Sequence, residues 1–445
     1  MTTPICDFVS EYSKKNTLRL HMPGHKGINL LGMEHLDLTE INGADSLYEA
    51  ESIIAESEAN ATRLFGCDTF YSTEGSSQCI RAMLYLACNN GGKNSERPLV
   101  LAGRNAHKTF LSAAALIDFD IEWIYGEEGQ SYLSCKITAK QLENKLKQAK
   151  RKPVAVYITS PDYLGNVADI KALAKVCHRY GVMILVDNAH GAYLKFLSQS
   201  MHPIDLGADM CCDSAHKTLP VLTGGAYLHI SKAVAEKYLP MTKNALAMFG
   251  STSPSYIILQ SLDMANKYIS DGYTEKLEQL CIKVQKIKDR LLQKGFELVG
   301  DEKIKITIRT KSYGYTGKEI ENLLLDKNIV SEFSDPDFIV FMFAVGLSDL
   351  QLEYFTEMIC NIPKKTAICE NMPDFFISQQ AMSVRQAAFS ECEYIPVEKA
   401  EGKILAAASV GCPPAVPIVV CGEIINEQAI KCFNYYGIES CCVIK

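Results

Sequence analysis

The sequence predicts an α/β protein, with a mostly parallel sheet in its larger domain and a smaller α+β domain toward the C-terminus. Two observations support this prediction. Short apolar runs alternate with helical patterns as far as about residue 230, which is typical of strands that helices cover on both faces. Beyond that point, two long helical patterns precede a short strand–helix–strand set. The 445 residues, 47% of them hydrophobic, are enough to bury two cores.

The predicted elements of the larger domain follow one another in a regular order. Segment 51–65 has Ile53, Ile54, Leu64 and Phe65 at helical spacing and predicts an amphipathic helix. The later elements are a helix at 76–88, a strand at 99–102, a helix at 107–117, a strand at 154–159, a helix at 169–180, and strands at 182–186 and 225–230. This order predicts βαβ units, which place successive strands in parallel.

The remaining patterns define the smaller domain and a tail. Long helices are predicted at 256–272 and 274–295, and the second is rich in Lys, Gln and Glu, as suits a helix that bridges two domains. A strand at 304–309, a helix at 317–326 and a strand at 338–345 follow. We therefore predict four parts: an N-terminal arm at 1–35, a large domain at 36–272, a small α+β domain at 273–370 and a C-terminal subdomain at 371–445.

The composition argues against several classes of partner. A net charge of −7 and a pI near 5.8 argue against nucleic acid, because a protein that binds it needs a basic face. We see neither a signal peptide nor an uncharged apolar run long enough to span a bilayer, so no membrane is expected. The 17 cysteines lack the spacing of a zinc site, which indicates reduced thiols in a cytoplasmic protein and no bound metal.

Three polar clusters occupy positions where open α/β sheets bind ligands. The first, residues 73–77, lies directly before a helical pattern and contains Gly75, Ser76 and Ser77. The free N–H groups of a helix N-terminus and the two hydroxyls can together hold a phosphate. An ordinary serine N-cap beside a glycine turn is the structural alternative.

The second cluster, residues 187–191, follows the apolar strand at 182–186 and contains Asp187 and His190. An acid just past a buried strand is costly unless it has a partner. A protonated pyridine nitrogen is a suitable partner, since the carboxylate stabilises its charge. A helix cap and an Asp-x-x-His metal pair are the alternatives, although no third metal ligand is obvious.

The third cluster, residues 213–218, contains Lys217 among small, polar and apolar neighbours, before the strand predicted at 225–230. Burial lowers the pKa of a lysine in general and makes its amine a nucleophile for carbonyl groups. A lysine in an exposed loop is the commoner alternative. A phosphate cradle, a partner for a pyridine nitrogen and an imine-forming lysine are what pyridoxal 5′-phosphate (PLP) requires, so the three clusters together predict a PLP enzyme.

The chain resembles the short form of the ornithine/lysine/arginine decarboxylase family of fold type I PLP enzymes. The matching strings extend through nearly the whole chain: 21–27 (HMPGHKG), 104–108 (RNAHK), 187–191 (DNAHG), 214–218 (SAHKT), 253–256 (SPSY), 413–417 (PPAVP) and 422–423 (GE). The resemblance implies an aspartate aminotransferase-like large domain, PLP as cofactor and α-decarboxylation of lysine, arginine or ornithine, a reaction of polyamine metabolism. It also implies a homodimer or larger homo-oligomer, without the extra N-terminal domain of the long members.

The resemblance also assigns roles to individual residues. Lys217 would bind PLP covalently, Asp187 would pair with the pyridine nitrogen, and His107 would stack on one face of the ring. Ala189 would pack on the other face, and His25, in the N-terminal arm, would lie near an active site. The residues expected at or near the phosphate are Gly75, Ser76, Ser77, Ser214 and His216.

Two strings depart from the usual pattern of the family. Asn188 stands where glutamate is usual, and Ala415 and Val416 stand where glycine and isoleucine are usual. Neither change removes a PLP contact, but both leave the substrate open among lysine, arginine and ornithine. Another fold type I reaction, as in an aminotransferase or lyase, and a non-catalytic PLP-binding homologue are the alternatives.

A cationic substrate needs an acidic partner in its pocket, because an unpaired buried charge is costly. The candidates are Glu332 and Asp335, just before the strand at 338–345, and Asp162, after the strand at 154–159. Loop acids usually face water, which is the structural alternative. Val330 and Phe333 beside Glu332 predict a partly buried loop and favour Glu332.

Overall fold

The computed structural model describes residues 1–15, 17–89, 96–126, 131–407, 409–412 and 416–445. These residues pack into two compact units, each built from two stretches of chain. The first unit comprises Met1–Asn90 and Ile170–Lys276, and the second comprises Gly91–Asp169 and Leu277–Lys445.

Helices and strands alternate through most of the chain. The helices are α1 Pro4–Lys14, α2 Ile53–Phe65, α3 Gly75–Asn89, α4 Lys108–Ile117, α5 Ala139–Gln148, α6 Ile170–Arg179, α7 Ala215–Thr218, α8 Ala235–Ala247, α9 Tyr256–Ser270, α10 Tyr273–Lys294, α11 Gly317–Leu325, α12 Asp349–Cys360, α13 Val384–Ala388 and α14 Glu427–Tyr435. The strands are β1 Asp68–Ser72, β2 Leu99–Gly103, β3 Asp120–Ile124, β4 Ala155–Thr159, β5 Met183–Asp187, β6 Met210–Asp213, β7 Ala226–Ile230, β8 Glu297–Val299, β9 Lys305–Arg309, β10 Phe333–Ser334, β11 Phe338–Met342, β12 Cys392–Pro396, β13 Ser409–Cys412, β14 Val416–Val420 and β15 Ser440–Ile444.

Four strands of the first unit lie in the order β1-β7-β6-β5. Strand β6 is parallel to β5, whereas β7 is antiparallel to both β6 and β1. Strands β1, β5 and β6 therefore run in the same direction, and their carboxyl ends share one edge. Helix α2 buries Ile54, Ala61 and Phe65, and the Phe65 ring packs 5.1 Å from that of Tyr227 on β7. Gly66 ends α2 in the left-handed region, with φ of +72°, which glycine adopts without strain.

The second unit contains three parallel strands in the order β4-β2-β3 and a four-stranded antiparallel sheet in the order β10-β11-β9-β8. Two further ladders join β12 to β15 and β13 to β14, both antiparallel. A buried core in this unit brings together Phe338 of β11, Val419 of β14 and Phe433 of α14. Every helix and strand predicted from the sequence is present, with ends shifted by a few residues. The predicted α/β class, with a mostly parallel sheet and a smaller α+β part, is confirmed.

The elements that the structure adds to the predicted set include strands β1, β3 and β6 and helices α1 and α5. Strand β6 has only four residues and ends in Asp213, so its pattern is too short to recognise. Polar residues interrupt β1, and α5 buries only Leu142 and Leu146. A capping box between Thr138 and Gln141 marks the start of α5, and this sequence pattern is the one that could have predicted the helix.

Within the described part of the chain, no helix combines the length and the apolar content needed to cross a membrane.

Candidate active site

The three polar clusters predicted from the sequence follow strands β1, β5 and β6 of the first unit. Because these strands run in the same direction, the clusters lie at one edge of the sheet. Two of the clusters are anchored at the start of β7. The Gly75 N–H donates to the Gly224 carbonyl over 2.7 Å, and the His216 N–H donates to the Gly225 carbonyl over 3.2 Å. The predicted phosphate turn and the lysine segment are therefore both hydrogen-bonded to the backbone that leads into β7.

Two glycines shape the turn before α3. Gly75 begins the helix with φ of +70°, and a Cβ atom there would meet nothing within 4 Å. A Cβ atom on Gly224 would lie 2.8 Å from the backbone oxygen of Thr73, so glycine permits this close approach. Ser76 and Ser77 are half-buried in the first turn. The N-terminus of α3 thus opens onto space that an anion can occupy.

Lys217 lies in the short helix α7, directly after β6. Its Nζ is 3.0 Å from the Nε2 of His190, which belongs to the cluster after β5. Lys217 is half-buried and His190 is buried. An ammonium that faces an imidazole nitrogen can pass a proton to it, and the neutral amine that remains is a nucleophile.

Asp187 is the last residue of β5 and is 2% exposed. Its Oδ1 accepts the backbone N–H of Ala189 over 3.2 Å. Burial keeps the pKa of the Cys212 thiol well above its ordinary value, so this thiol stays protonated and donates to the same oxygen over 3.8 Å. The structure therefore holds a buried carboxylate at the position where the sequence predicted the partner of a pyridine nitrogen.

Ser214 and His216 lie on either side of the first residue of α7. The Nδ1 of His216 is 3.2 Å from the Gly225 carbonyl, and since a carbonyl can only accept, Nδ1 carries a hydrogen. The Ser214 hydroxyl is 3.5 Å from the same nitrogen. Their expected place at the phosphate stays a prediction.

The two other predicted histidines each accept a backbone N–H from two residues further along the chain. His107, in the second unit, is the N-cap of α4, and its Nδ1 accepts the Thr109 N–H over 3.2 Å. His25, in the N-terminal arm, accepts the Gly27 N–H at Nδ1 over 3.0 Å and places Nε2 3.2 Å from Asp37. The expected stacking of His107 on the cofactor and the place of His25 near an active site stay predictions.

Two of the three predicted substrate acids are buried and bonded within their own loops. Both oxygens of Asp162 accept hydrogen bonds from Asn166, one from its backbone over 2.9 Å and one from its side chain over 2.8 Å. Asp335 Oδ1 accepts the Asp337 N–H over 2.7 Å. Burial raises the pKa of both carboxyls, that of Asp335 to about 7. These contacts stabilise turns and leave less of each carboxylate for a ligand.

Glu332 itself is exposed, whereas the loop around it is partly buried, as the sequence predicted. Val330 beside it is 78% exposed, although Phe333 is buried. The reason is local strand pairing. The Glu332 N–H donates to Val340 over 2.9 Å, which extends the β10–β11 ladder, and side chains on a strand alternate between its faces. The Glu332 carboxylate accepts the Tyr163 hydroxyl over 3.0 Å.

Two of the sequence strings meet through Arg104, at the end of β2. Its guanidinium donates to the carbonyls of Pro417 and Ile418 over 2.7 and 3.0 Å and lies 3.3 Å from the Glu423 carboxylate. Burial raises the pKa of Glu423, and Arg104 opposes this by pairing with it. Arg104 therefore ties the 104–108 string to the tail, whose residues 413–415 lie outside the described residues.

The sequence patterns alone assigned no role to His190 or Asp213. His190 is the neighbour of Lys217, and the Asp-Asn-Ala-His string was the signal that pointed to it. Asp213 accepts a hydrogen bond from Asn188 over 2.6 Å and contacts two histidines. The Lys217–His190 and Asn188–Asp213 contacts join residues far apart in the chain, so local patterns carry little information about them.

The site is that of a PLP-dependent enzyme of fold type I. It combines an open helix N-terminus, a lysine amine beside a buried imidazole and a carboxylate at the end of a parallel strand. The residues fit that cofactor, because the space before Gly75 suits its phosphate and Asp187 suits its pyridine nitrogen. The chain belongs to the Orn/Lys/Arg decarboxylase family. Residues 3–306 match the major domain of that family, and residues 364–440 match its C-terminal domain.

Known proteins similar to this chain agree with that assignment. Arginine decarboxylase of Bacillus subtilis (strain 168) is 29% identical and is matched over 96% of this chain and 92% of its own length. Arginine decarboxylase of Bacillus cereus is 29% identical over 97% and 99%, respectively. Lysine decarboxylase of Francisella novicida has the same fold, with a TM-score of 0.80, 16% identity and coverage of 100% of this chain and 81% of that one. The predicted family, PLP dependence and decarboxylation of a basic amino acid are confirmed.

Proposed function

We propose that the substrate of this decarboxylase is arginine, which it converts to its amine and CO2. The observation that carries the proposal is the match to curated arginine decarboxylases over nearly the full length of both chains. When bound, PLP supplies an electron sink for the electron pair that remains on Cα after CO2 leaves.

We infer that five residues hold the phosphate at the N-terminus of α3. These residues are Gly75, Ser76, Ser77, Ser214 and His216. Asp187 would keep the pyridine nitrogen protonated, because a buried carboxylate stabilises a nearby positive charge. His107 would pack on one face of the cofactor ring and Ala189 on the other.

Lys217 and His190 are proposed to move protons as a pair. With Nζ and Nε2 only 3.0 Å apart, His190 can accept the proton that Lys217 loses when its amine becomes a nucleophile. The same pair can return a proton to Cα after CO2 has left, and Lys217 can then release the amine. Either residue can deliver that proton, and the pair shares it over a single short contact.

We also propose that the protein acts as a homodimer or larger homo-oligomer in the cytoplasm. The support is an apolar surface on the N-terminal arm. Its exposed large side chains are Leu18, Leu20, Met22, Ile28, Leu30, Leu31 and Met33. Apolar surface of this extent is typical of an interface between chains.

Amine release from a panel of amino acids, with PLP added, tests the proposed substrate. We expect arginine to have the highest kcat/KM, by about tenfold or more over lysine and ornithine, since one pocket rarely suits both a guanidinium and an ammonium. Equal or greater turnover of lysine would contradict the proposal. A keto acid product would contradict decarboxylation itself.

Glu332→Gln is expected to raise KM for arginine about fivefold, the size expected of an exposed ion pair, and to leave kcat nearly unchanged. Among the three candidate acids, Glu332 is the exposed one, and its carboxylate is not committed to backbone N–H groups of its own loop. Glu391→Gln is the control, because Glu391 is an exposed acid of the same unit. Unchanged KM in Glu332, Asp335 and Asp162 variants alike would mean that the cationic end binds elsewhere.

A further inference from the structure

A buried cluster of ionisable side chains lies directly beside the segments that carry Asp187 and Lys217. It comprises His202, Cys211, Asp213 and His229, and one polar or sulfur atom from each lies within 4.8 Å of the others. The side chains of Asp213, His202 and His229 are 0% exposed. The proposed reaction uses none of these groups, so their burial needs a separate explanation.

Asp213 connects two segments of the first unit. It is the last residue of β6, and the next residue, Ser214, leads into α7 and Lys217. Its Oδ1 accepts the Asn188 side-chain N–H over 2.6 Å. The Asn188 backbone N–H also donates to the Cys212 carbonyl over 3.0 Å, so Asn188 is held to β6 at two points. Because Asn188 lies between Asp187 and Ala189, this contact sets where the residues after β5 stand relative to Lys217.

The hydrogen bonds around His229 indicate that its ring is protonated at both nitrogens. The Thr69 hydroxyl is 3.0 Å from the Cys67 carbonyl and 3.0 Å from His229 Nδ1. A carbonyl can only accept, so the single hydroxyl hydrogen goes to Cys67 and Nδ1 donates to the Thr69 oxygen. His229 Nε2 lies 3.2 Å from Asp213 Oδ2 and needs a hydrogen of its own to face a carboxylate.

Asp213 and His229 each favour the charged state of the other. Burial opposes ionisation of Asp213, but His202 and His229 hold its pKa far below the usual range. Burial also opposes the charge on His229, but Asp213 raises its pKa. Among the described residues, the other titratable groups close to the pair are Cys67, Cys79, His202, Asp205, Cys211, Cys212 and Tyr227.

We propose that Asp213 is a positioning residue for the reaction: its carboxylate, neutralised by the His229 imidazolium, holds Asn188 and so sets Asp187 in place relative to Lys217. The proposal rests on the proposed roles of Lys217 and Asp187. A buried ion pair suits this role, because its geometry is strongly constrained by hydrogen bonds that have no competition from water. A neutral amide at position 213 would leave His229 without a counter-charge and would weaken the hydrogen bond from Asn188, because a carboxylate is the stronger acceptor.

Three variants separate positioning from stability. Asp213→Asn removes the charge, whereas Asn188→Ala removes the link and leaves the Asp213–His229 pair intact. Asp209→Asn is the matched control, because Asp209 is also buried on this sheet and bonds to a histidine, His178, over 3.1 Å, at the other end of β6. We expect Asp213→Asn and Asn188→Ala to lower kcat about tenfold or more with KM changed less than about threefold. The visible absorbance band of the bound cofactor should shift in both variants and stay unchanged in Asp209→Asn.

Thermal unfolding at several pH values gives a readout that is independent of turnover. Because Asp213 raises the pKa of His229 and the two histidines lower the pKa of Asp213, the stabilisation by the pair is complete between the ordinary values of 3.8 for aspartate and 6.5 for histidine. It is lost as the pH falls below that range or rises above it. The Tm advantage of the wild type over Asp213→Asn should therefore shrink as the pH rises above 6.5. Asn188→Ala should keep the pH dependence of the wild type.

Wild-type kcat and an unshifted absorbance band in both Asp213→Asn and Asn188→Ala would overturn the positioning role. One equivalent of tightly bound metal per purified chain would overturn the protonated state of His229, since the metal would take the place of its proton. If Asp213→Asn fails to fold, Asn188→Ala alone decides the positioning role. Failure of the wild type to release any amine would refute the proposed function. The absorbance and unfolding measurements would still test the role of Asp213.

Discussion

Lys217→Ala is expected to lower kcat by about 10³-fold or more, because it removes both the nucleophile that binds the cofactor and half of the proton-transferring pair. His190 would remain, but its Nε2 would lose the amine that lies 3.0 Å away. Amine release from arginine measures the loss. Borohydride reduction of the wild type followed by peptide mapping should place the pyridoxyl label on Lys217.

Lys232→Ala is the control for this variant, because Lys232 is an exposed lysine of the same unit. We expect it to retain wild-type turnover and the label on Lys217. A label on Lys108 or Lys195 would contradict the assignment. Lys195 is a less suitable nucleophile in any case, since both oxygens of Asp205 accept hydrogen bonds from its ammonium over 2.8 Å.

Asp187→Asn is expected to leave PLP bound and to lower kcat about 10²- to 10³-fold. The amide can still accept the Ala189 N–H and keep the turn after β5, but a neutral group cannot hold a pyridine nitrogen protonated. Absorbance of the dialysed protein measures cofactor content, and single-turnover amine release measures the chemical step.

The control for Asp187→Asn is Asp271→Asn, which makes the same chemical change at an exposed position of the same unit. It should behave as the wild type in both measurements. Near-normal turnover of Asp187→Asn would remove Asp187 from the proposed role. Loss of bound PLP together with turnover would assign it a role in binding instead.

The sequence was sufficient for the class of fold and for the chemistry at the sheet edge. Apolar strands buried on both faces leave a signal that depends on local composition, so β2, β4, β5 and β7 could be predicted. The Gly75, Asp187 and Lys217 clusters were also visible, because turns, strand ends and helix starts use characteristic residues within a few positions of one another. The order of these clusters predicted a PLP site, which the family comparison supports.

Packing between distant segments decided the rest. The sequence did not show that Glu332 is exposed while Asp335 is buried, since strand pairing with β11 determines which way these two side chains face. It also did not show that Lys217 meets His190 or that Asp213 meets His229 and Asn188. Residues far apart in the chain make these contacts. Their energies depend on burial and charge, which exist only after the strands have assembled.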